Sequence, residues 1–539
     1  MKASPSRARD QPPASSPKGP ALAHPILFAV FPVVTLLGSN IEMTRPAEAV
    51  RPALVAAGVA ALLVFGARRL WGNWGKAALA STLIVVTAYA IGQLRLQLAP
   101  PTTAPDGSGA EIAAFAVWVG VVGVGTLLLA RSARLPASLH TVLTVVAAAA
   151  IAQPMWRILS HEVQANQPWT LPRAASELAP YRPQPATGTP LPDIYYIVLD
   201  GYGRSDVLKE LYGLDDTDFL HDLEARGFYI ADQSRSNYGQ TSLSFASALN
   251  MSYLNALTEI AGDDISQRQV ARLIRFNEVS QVLEGLGYSV TAFSTGYRRA
   301  ELAEADTFLV AHPAGVTPFE ALLLESNAVW GLHALFGAAG RPLGYPGYDV
   351  YRQRIDANIR QLWEAPSRPG PQFVFAHLLL PHPPFVFDAD GGPRRPDLPF
   401  RSADGDQFIG TADDYVQGYR EQVLFAQRVV AVFLDRLAEA GGDSAVVILQ
   451  GDHGPGLRLD WGDAEQTDTW ERTSILNAYR APGVPTRAWG SAITPVNTFR
   501  VLFNELFGAS YPRLPDRSYF SSWRAPYSFI PVEGEGGAP

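Results

Sequence analysis

Asp193-Ile-Tyr-Tyr-Ile-Val-Leu-Asp200-Gly201 and, far along the chain, Ala445-Val-Val-Ile-Leu-Gln-Gly-Asp452-His453-Gly454 are the two stretches on which the fold turns. Each is a short apolar run, β-branched or aromatic and uniform rather than alternating. That is the pattern of a strand buried on both faces of a parallel sheet. Each run ends in an acidic side chain followed closely by glycine. In open α/β sheets, ligands collect where strands end at their carboxyl edge. Two carboxylates and an imidazole at one such edge, Asp200, Asp452 and His453, would make a site for one divalent cation.

Working outward, helical and strand-like segments alternate. Helices are expected over Ser205–Glu210, Asp216–Arg226, Phe276–Leu286, Tyr348–Trp363 and Tyr415–Ala440. Strands are expected at Phe228–Ile230, Tyr288–Phe293, Phe373–Leu380 and Ala445–Leu449. Such alternation implies right-handed βαβ units and a mainly parallel sheet covered on both faces.

The first third of the chain is of another kind. Charged residues are sparse before about residue 160 and frequent after 190. Five apolar stretches, Pro25–Ile41, Pro52–Trp71, Ala77–Leu94, Ile112–Ala130 and His140–Ile158, approach or reach the roughly 17–25 residues that a membrane-spanning helix needs. Basic residues gather in the N-terminal tail (Lys2, Arg7, Arg9, Lys18), between the second and third stretches (Arg68, Arg69, Lys76) and between the fourth and fifth (Arg131, Arg134). The other two connections carry Glu42, Glu48, Asp106 and Glu111. The positive-inside rule puts the N-terminus in the cytoplasm, and five crossings leave the later part of the chain outside a bacterial-type cytoplasmic (inner) membrane. The expected organisation is a cytoplasmic tail (1–23), a transmembrane domain of five helices (24–160), a Pro-rich linker (161–189), a catalytic domain (190–510) and a C-terminal tail (511–539).

A formal charge of −8 with no basic stripe argues against nucleic acid as a partner. The chain has no cysteine, which removes disulfides, thiolate metal sites and a cysteine nucleophile.

Two further segments bear on chemistry. Ser236-Asn-Tyr-Gly-Gln-Thr241-Ser242-Leu-Ser244 is a hydroxyl-rich turn leading into a helix over Leu243–Leu249. A hydroxyl at a helix N-terminus meets backbone N–H groups and a macrodipole that favour an anion such as phosphate. Taken alone, the same residues read more readily as an ordinary capping box or N-cap. Phe375-Ala-His377-Leu-Leu-Leu-Pro-His382-Pro-Pro-Phe385 carries a strand into a Pro-flanked loop that fixes the direction of His382. His377, inside the strand, reads as a hydrogen-bonded core histidine.

The order of acidic strand end, Thr-bearing turn, His loop and Asp-His-Gly resembles the alkaline phosphatase superfamily. Within it the chain is similar to the sulfatase-like membrane transferases typified by lipoteichoic acid synthase and the phosphoethanolamine transferases. The likeness covers roughly residues 190–510, and five helices before that domain match the synthase layout. The resemblance implies an alkaline-phosphatase-like α/β domain with metal ligands Asp200, Thr241, Asp452 and His453. It also implies Thr241 as nucleophile, His382 as a substrate-binding histidine, and Arg298 or Arg299 as a contact to the substrate phosphate; two solvated arginines at a helix start are an equal reading of that pair. The sulfatase nucleophile motif, Cys- or Ser-x-Pro-x-Arg, is not in place, and a single Asp200 stands where sulfatases carry paired aspartates. There is no full ligand set for a second metal.

The expectation is therefore a membrane-anchored enzyme with one divalent ion (Mn, Zn or Mg). It moves a phosphoglycerol or phosphoethanolamine type of group from a membrane lipid to an envelope glycan or lipid acceptor through a phosphothreonine. A hydrolase using the same site, as phosphodiesterase or phosphatase and less readily on sulfuric esters, is the first alternative, and a non-catalytic envelope scaffold is the second.

Overall fold

In the computed structural model, residues 23–98, 108–132, 136–169, 171, 177–183, 191–261, 266–312, 314–338, 347–396, 398 and 400–532 are described. The chain divides into two compact units: Met1–Ile41, Pro46–Ser160 and Phe319–Leu343 in one, and Glu42–Arg45, His161–Pro318 and Gly344–Pro539 in the other.

Among the described residues, the first unit holds five long helices, α1 (His24–Ser39), α2 (Val50–Trp71), α3 (Trp74–Leu98), α4 (Ser108–Arg131) and α5 (Ala137–Ala165), besides shorter ones between residues 318 and 338. Each coincides with one of the expected apolar stretches, α1 ending two residues before Ile41. Four are long and apolar enough to cross a membrane, whereas α1 has 16 residues. At 1.5 Å per residue that is about 24 Å, short of a hydrocarbon core of about 30 Å. The expected count of five spans is thus four full-length helices and one shorter one. Arg68, Arg69 and Arg131 lie in the last turns of α2 and α4. Expectations that fall on the N-terminal tail, on Asp106 and on Arg134 lie outside the described residues.

Inside this unit the helices are keyed by small residues and by a polar bridge. A Cβ on Gly38 of α1 would sit 3.2 Å from the Cβ of Pro154 in α5. His24 of α1 hydrogen-bonds Thr82 of α3 (2.6 Å) and His140 of α5 (3.0 Å), all three buried. In a low-dielectric surround, such mutual satisfaction fixes which helix faces which.

The second unit is built on a seven-stranded sheet of order β2-β7-β6-β1-β5-β3-β4. Its strands are β1 (Ile194–Leu199), β2 (Tyr229–Ile230), β3 (Ser289–Phe293), β4 (Thr307–Leu309), β5 (Gln372–Leu378), β6 (Val446–Gly451) and β7 (Asn477–Arg480). β1 pairs in parallel with both β5 and β6, so the two decisive runs are central neighbours. Alternate residues of β1 enter opposite cores. Tyr196 and Val198 pack with Phe245 and Phe499, while Tyr195, Ile197 and Leu199 pack with Phe433 and Tyr351. Burial on both faces is why the run shows no alternation in sequence.

Two elements depart from the sequence reading. β7 runs antiparallel to β6, closing one side of the sheet with β2. The stretch expected to be a C-terminal tail from 511 contains a hairpin, β8 (Ser518–Ser522) with β9 (Ala525–Val532). Tyr519 of β8 donates its backbone N–H to Asn237 O and stacks on Tyr238 at 5.6 Å, so the hairpin braces the turn that precedes Thr241. The final Gly-Glu-Gly-Gly-Ala-Pro lies outside the described residues.

Candidate active site

Register alone brings the two carboxylates together. Leu199 stands opposite Gly451, so the next residue on each strand, Asp200 and Asp452, is separated by about one strand spacing, roughly 4.8 Å. Gly201 then turns away with φ +76°, a left-handed conformation that glycine adopts without strain, and donates its N–H to Asp452 Oδ1 at 2.9 Å. Gly454 is required for space: a Cβ there would lie 2.0 Å from Glu471 O.

Thr241 is the first residue of the helix Thr241–Leu249, two residues earlier than the sequence suggests, and Gln240 is its N-cap without a side-chain cap bond. The threonine hydroxyl turns instead to His453 Nε2 at 3.1 Å. That nitrogen is the hub of the site. Asp452 Oδ2 is 3.3 Å from it and Asp200 Oδ1 3.5 Å. All four residues are buried. His453 Nδ1 lies 2.9 Å from Gly454 O. Donation to that carbonyl assigns the proton to Nδ1 and leaves Nε2 bare. Burial first, and then the Arg472 charge, lowers the His453 pKa, which keeps the ring neutral as a metal ligand must be.

The residues fit a dication. Asp200 Oδ1 and Asp452 Oδ2 are buried with no hydrogen-bond partner, an arrangement costly unless something positive completes it. Tetrahedral bonds of about 2.0–2.2 Å put neighbouring ligand atoms about 3.3–3.6 Å apart. The spacings of 3.1, 3.3 and 3.5 Å around His453 Nε2 scatter about that figure. Asp200, His377 and Asp452 likewise offer ligand atoms within 4.8 Å of one another. His377 Nε2, however, is already 3.0 Å from Asp200 Oδ2, which orients the carboxylate and leaves Oδ1 for the hub. The ring of His377 is held edge-on by Phe245, from the Thr241 helix, at 4.8 Å. Burial opposes ionisation of Asp200, but His382, His377 and His453 outweigh it and hold its carboxyl below the usual range.

His382 is half-buried, 6.4 Å from His453 between ring centroids, and Gln422 donates to the carbonyls of Pro381 (3.2 Å) and His382 (3.1 Å), which pins its loop. Arg298 pairs with Glu162 (2.7 Å) and Arg299 with Glu42 (2.8 Å). Their neighbour Tyr297 borders the site: burial raises its hydroxyl pKa, Arg299 opposes this, and the charges of Asp200 and Asp452 add to it.

The guanidinium that reaches the hub is one the sequence did not single out, Arg472. Buried at 2% exposure, it contacts His453 Nε2 at 3.2 Å and donates to Asp404 (2.8 Å), Gly239 O (2.8 Å) and Gly454 O (3.1 Å). It sits in a five-residue helix, Thr469–Thr473, where adjacent Glu471 and Arg472 read in sequence as ordinary solvated charges. Periodicity carries no signal for it.

Glu471 is buried beside it and accepts from the N–H groups of Leu457 (3.0 Å) and Arg458 (2.8 Å) and from the Tyr212 hydroxyl. Burial pushes its carboxyl up to about 7. The native state therefore holds a proton that the unfolded chain releases near pH 4.5. Stability from this group is fully present below about 4.5 and declines as pH rises to about 7, by about 3 kcal/mol in all. Thermal unfolding of the parent and Glu471→Gln at pH 5 and pH 8 reads this directly. The parent loses ground relative to the variant at pH 8, and an equal difference at both values refutes the assignment.

No curated protein matches the chain in a sequence search. Among solved structures, similarity is found to the C-terminal periplasmic domain of EcEptC from Escherichia coli (11% identity, 65% of this chain and 94% of that one, TM-score 0.40). It is also found to the soluble domain of lipooligosaccharide phosphoethanolamine transferase A from Neisseria meningitidis (12%, 60% and 90%, TM-score 0.36) and to a 2-O GAG sulfatase (14%, 60% and 72%, TM-score 0.39). The family model described as Sulfatase matches residues 192–484. Because that match spans more than half of the 539 residues and takes in the parallel sheet itself, the chain belongs to the sulfatase family and is an enzyme acting on sulfate or phosphate esters.

Proposed function

We propose that this enzyme is a membrane-anchored phosphotransferase. It takes a phospho-alcohol group, of the phosphoglycerol or phosphoethanolamine type, from a lipid donor and passes it to an envelope glycan or lipid through a phosphothreonine at Thr241. The observation that carries this reading is the convergence of Thr241 Oγ1, Asp200 Oδ1 and Asp452 Oδ2 within 3.1–3.5 Å of His453 Nε2. A threonine hydroxyl is a weak nucleophile unless a positive centre favours its alkoxide. Absence of cysteine and of the Ser-x-Pro-x-Arg motif speaks for phosphate rather than sulfate as the ester.

Asp200, Thr241, Asp452 and His453 would hold one divalent ion of the Mn, Zn or Mg type, which when bound supplies Lewis-acid stabilisation of the alkoxide and of phosphoryl charge. Thr241 Oγ1 bonds to phosphorus, its proton passing to solvent. The bond from phosphorus to the lipid alcohol breaks, and the leaving oxygen takes a proton for which His382 is placed. Arg472 offsets charge on the phosphoryl oxygens from within the buried site, and Arg298 or Arg299, beside Tyr297, is the candidate contact for the outer part of the substrate. An acceptor alcohol then attacks phosphorus and restores the threonine. The loop charges and the four full-length helices favour a catalytic unit outside the cytoplasmic membrane, where tethering raises the local concentration of lipid donor.

The test is purified full-length chain with Mn²⁺ or Zn²⁺, vesicles of head-group-labelled phosphatidylethanolamine or phosphatidylglycerol, and an alcohol acceptor. Diacylglycerol release and label transfer are expected, falling at least about 100-fold with a chelator and returning with metal. Label released only to water makes the enzyme a hydrolase. Chelator-insensitive turnover, or activity confined to sulfate esters, refutes the reading.

A further inference from the structure

The catalytic unit stops at Pro318 and resumes at Gly344, and the residues between them belong to the membrane unit. Two short helices, Pro318–Glu325 and Gly331–Ala338, are joined by a 3-10 turn at Ala328–Trp330. Residues 326–338 contain no acidic or basic side chain apart from His333.

One face of this excursion is fixed tightly to the membrane helices. Phe319 packs with Val33 and Leu37 of α1 and Ile158 of α5. Arg51 of α2 pairs with Glu320, and Arg95 of α3 donates to Glu325 O at 2.6 Å and to Glu111 of α4 at 3.2 Å. The backbones nearly touch: a Cβ on Gly92 would lie 2.3 Å from Ser326 O, and one on Gly331 2.4 Å from the Phe115 Cβ. Such a fit marks a built position rather than a loop resting on a surface.

Other side chains of the excursion are apolar and open. Leu322, Leu324, Val329, Leu332, Leu335 and Phe336 are each 38–45% exposed. An exposed apolar patch of this kind marks a surface that meets something other than water. Its occupant follows from continuity. The excursion rests on α3 and α4, whose outward side chains, Val117, Val119, Val121 and Val124 among them, are equally exposed and belong to helices of membrane-spanning length. Eight-residue helices rise about 12 Å each, too little to cross, so they lie in the interface. They meet the unit where α3 ends and α4 begins, the end that the loop charges assign to the outside.

We propose that residues 319–338 form a platform seated in the outer leaflet, with its open face in the boundary between lipid head groups and acyl chains. This holds whichever ester the enzyme cleaves.

Absence of cysteine makes the test clean. Leu322→Cys, Leu335→Cys and, as control, Arg428→Cys on the exposed side of the helix Ala412–Glu439 are labelled with an environment-sensitive fluorophore in the full-length chain. Each is reconstituted in phosphatidylglycerol and phosphatidylcholine vesicles with or without bromine on the acyl chains. The labels at 322 and 335 are expected to be quenched at least twofold by brominated lipid and spared by aqueous iodide, with the reverse at 428. Iodide quenching of 322 and 335 equal to that of 428 overturns the platform. Shielding of either label from both quenchers also overturns it, because a protein surface then covers the patch.

Discussion

Thr241→Ala is expected to lower turnover at least about 10³-fold and to abolish any covalent phosphoryl adduct, without unfolding the catalytic unit. Removing a nucleophile eliminates the step it performs, so loss of that order is the usual consequence. The fold should tolerate the change for local reasons. Thr241 begins a helix whose N-cap is Gln240, and its hydroxyl hydrogen-bonds the His453 ring rather than a helix N–H. Alanine suits that helical position, and the stability change stays within about 1 kcal/mol. This separates the two readings of the hydroxyl that sequence leaves open, because an N-cap substituted by alanine costs stability and a nucleophile costs turnover. Acid-quenched parent enzyme with lipid donor should show a mass increase on the peptide containing Thr241. Thr241→Ser should keep the adduct at a reduced rate, since it keeps a hydroxyl but loses the methyl that limits its rotamers. Full activity in Thr241→Ala, or an adduct elsewhere, ends the phosphothreonine mechanism.

What the sequence makes legible here follows from burial on two faces. β1, β5 and β6 are mostly apolar because both sides of the sheet are covered, and the residue that follows β1 and the one that follows the glycine of β6 are the candidate ligands themselves. The pattern alone therefore places Asp200, Asp452 and His453 at one edge. It does not place β7. Its four residues, Asn477–Arg480, carry too little pattern, and its pairing with β6 is reinforced by a buried bond from Gln450 to Asn477 at 2.9 Å that only tertiary contact supplies. The hairpin Ser518–Val532 was hidden for the same reason, since its partners Asn237 and Tyr238 lie some 280 positions earlier. The platform leaves no such mark, because its apolar runs are too short for the length criterion that exposes a membrane span. His377, read as a hydrogen-bonded core histidine, does bond in the core, and its partner is Asp200.

Arg472 is the hardest case, and its replacement carries the second large effect. A charge pair 2% and 5% exposed, Arg472 and Asp404, is invisible to any rule that reads charged residues as solvated. Arg472→Met leaves the Asp404 carboxylate buried with Tyr415 (2.7 Å) as its remaining side-chain partner. It also strips the Gly239 carbonyl of the guanidinium donor and leaves Gly454 O with His453 Nδ1 alone of its two side-chain donors. Breaking a buried pair on one side costs about 3–5 kcal/mol, a large share of a domain's total stability. Arg472→Lys keeps the charge but cannot reach Asp404, two carbonyls and the His453 edge from one ammonium, so it should fold and lose about 10²-fold in activity. The decisive variant is Arg472→Met with Asp404→Asn. With the stranded charge gone, thermal stability should recover most of what the single change lost, because the two residues are coupled. Activity should not recover, because the guanidinium that helps offset charge on the phosphoryl oxygens beside His453 is still missing. A double variant as unstable as Arg472→Met would show that the guanidinium stabilises through the carbonyls instead. An Arg472→Lys enzyme as active as the parent would remove Arg472 from the chemistry and leave it a structural residue.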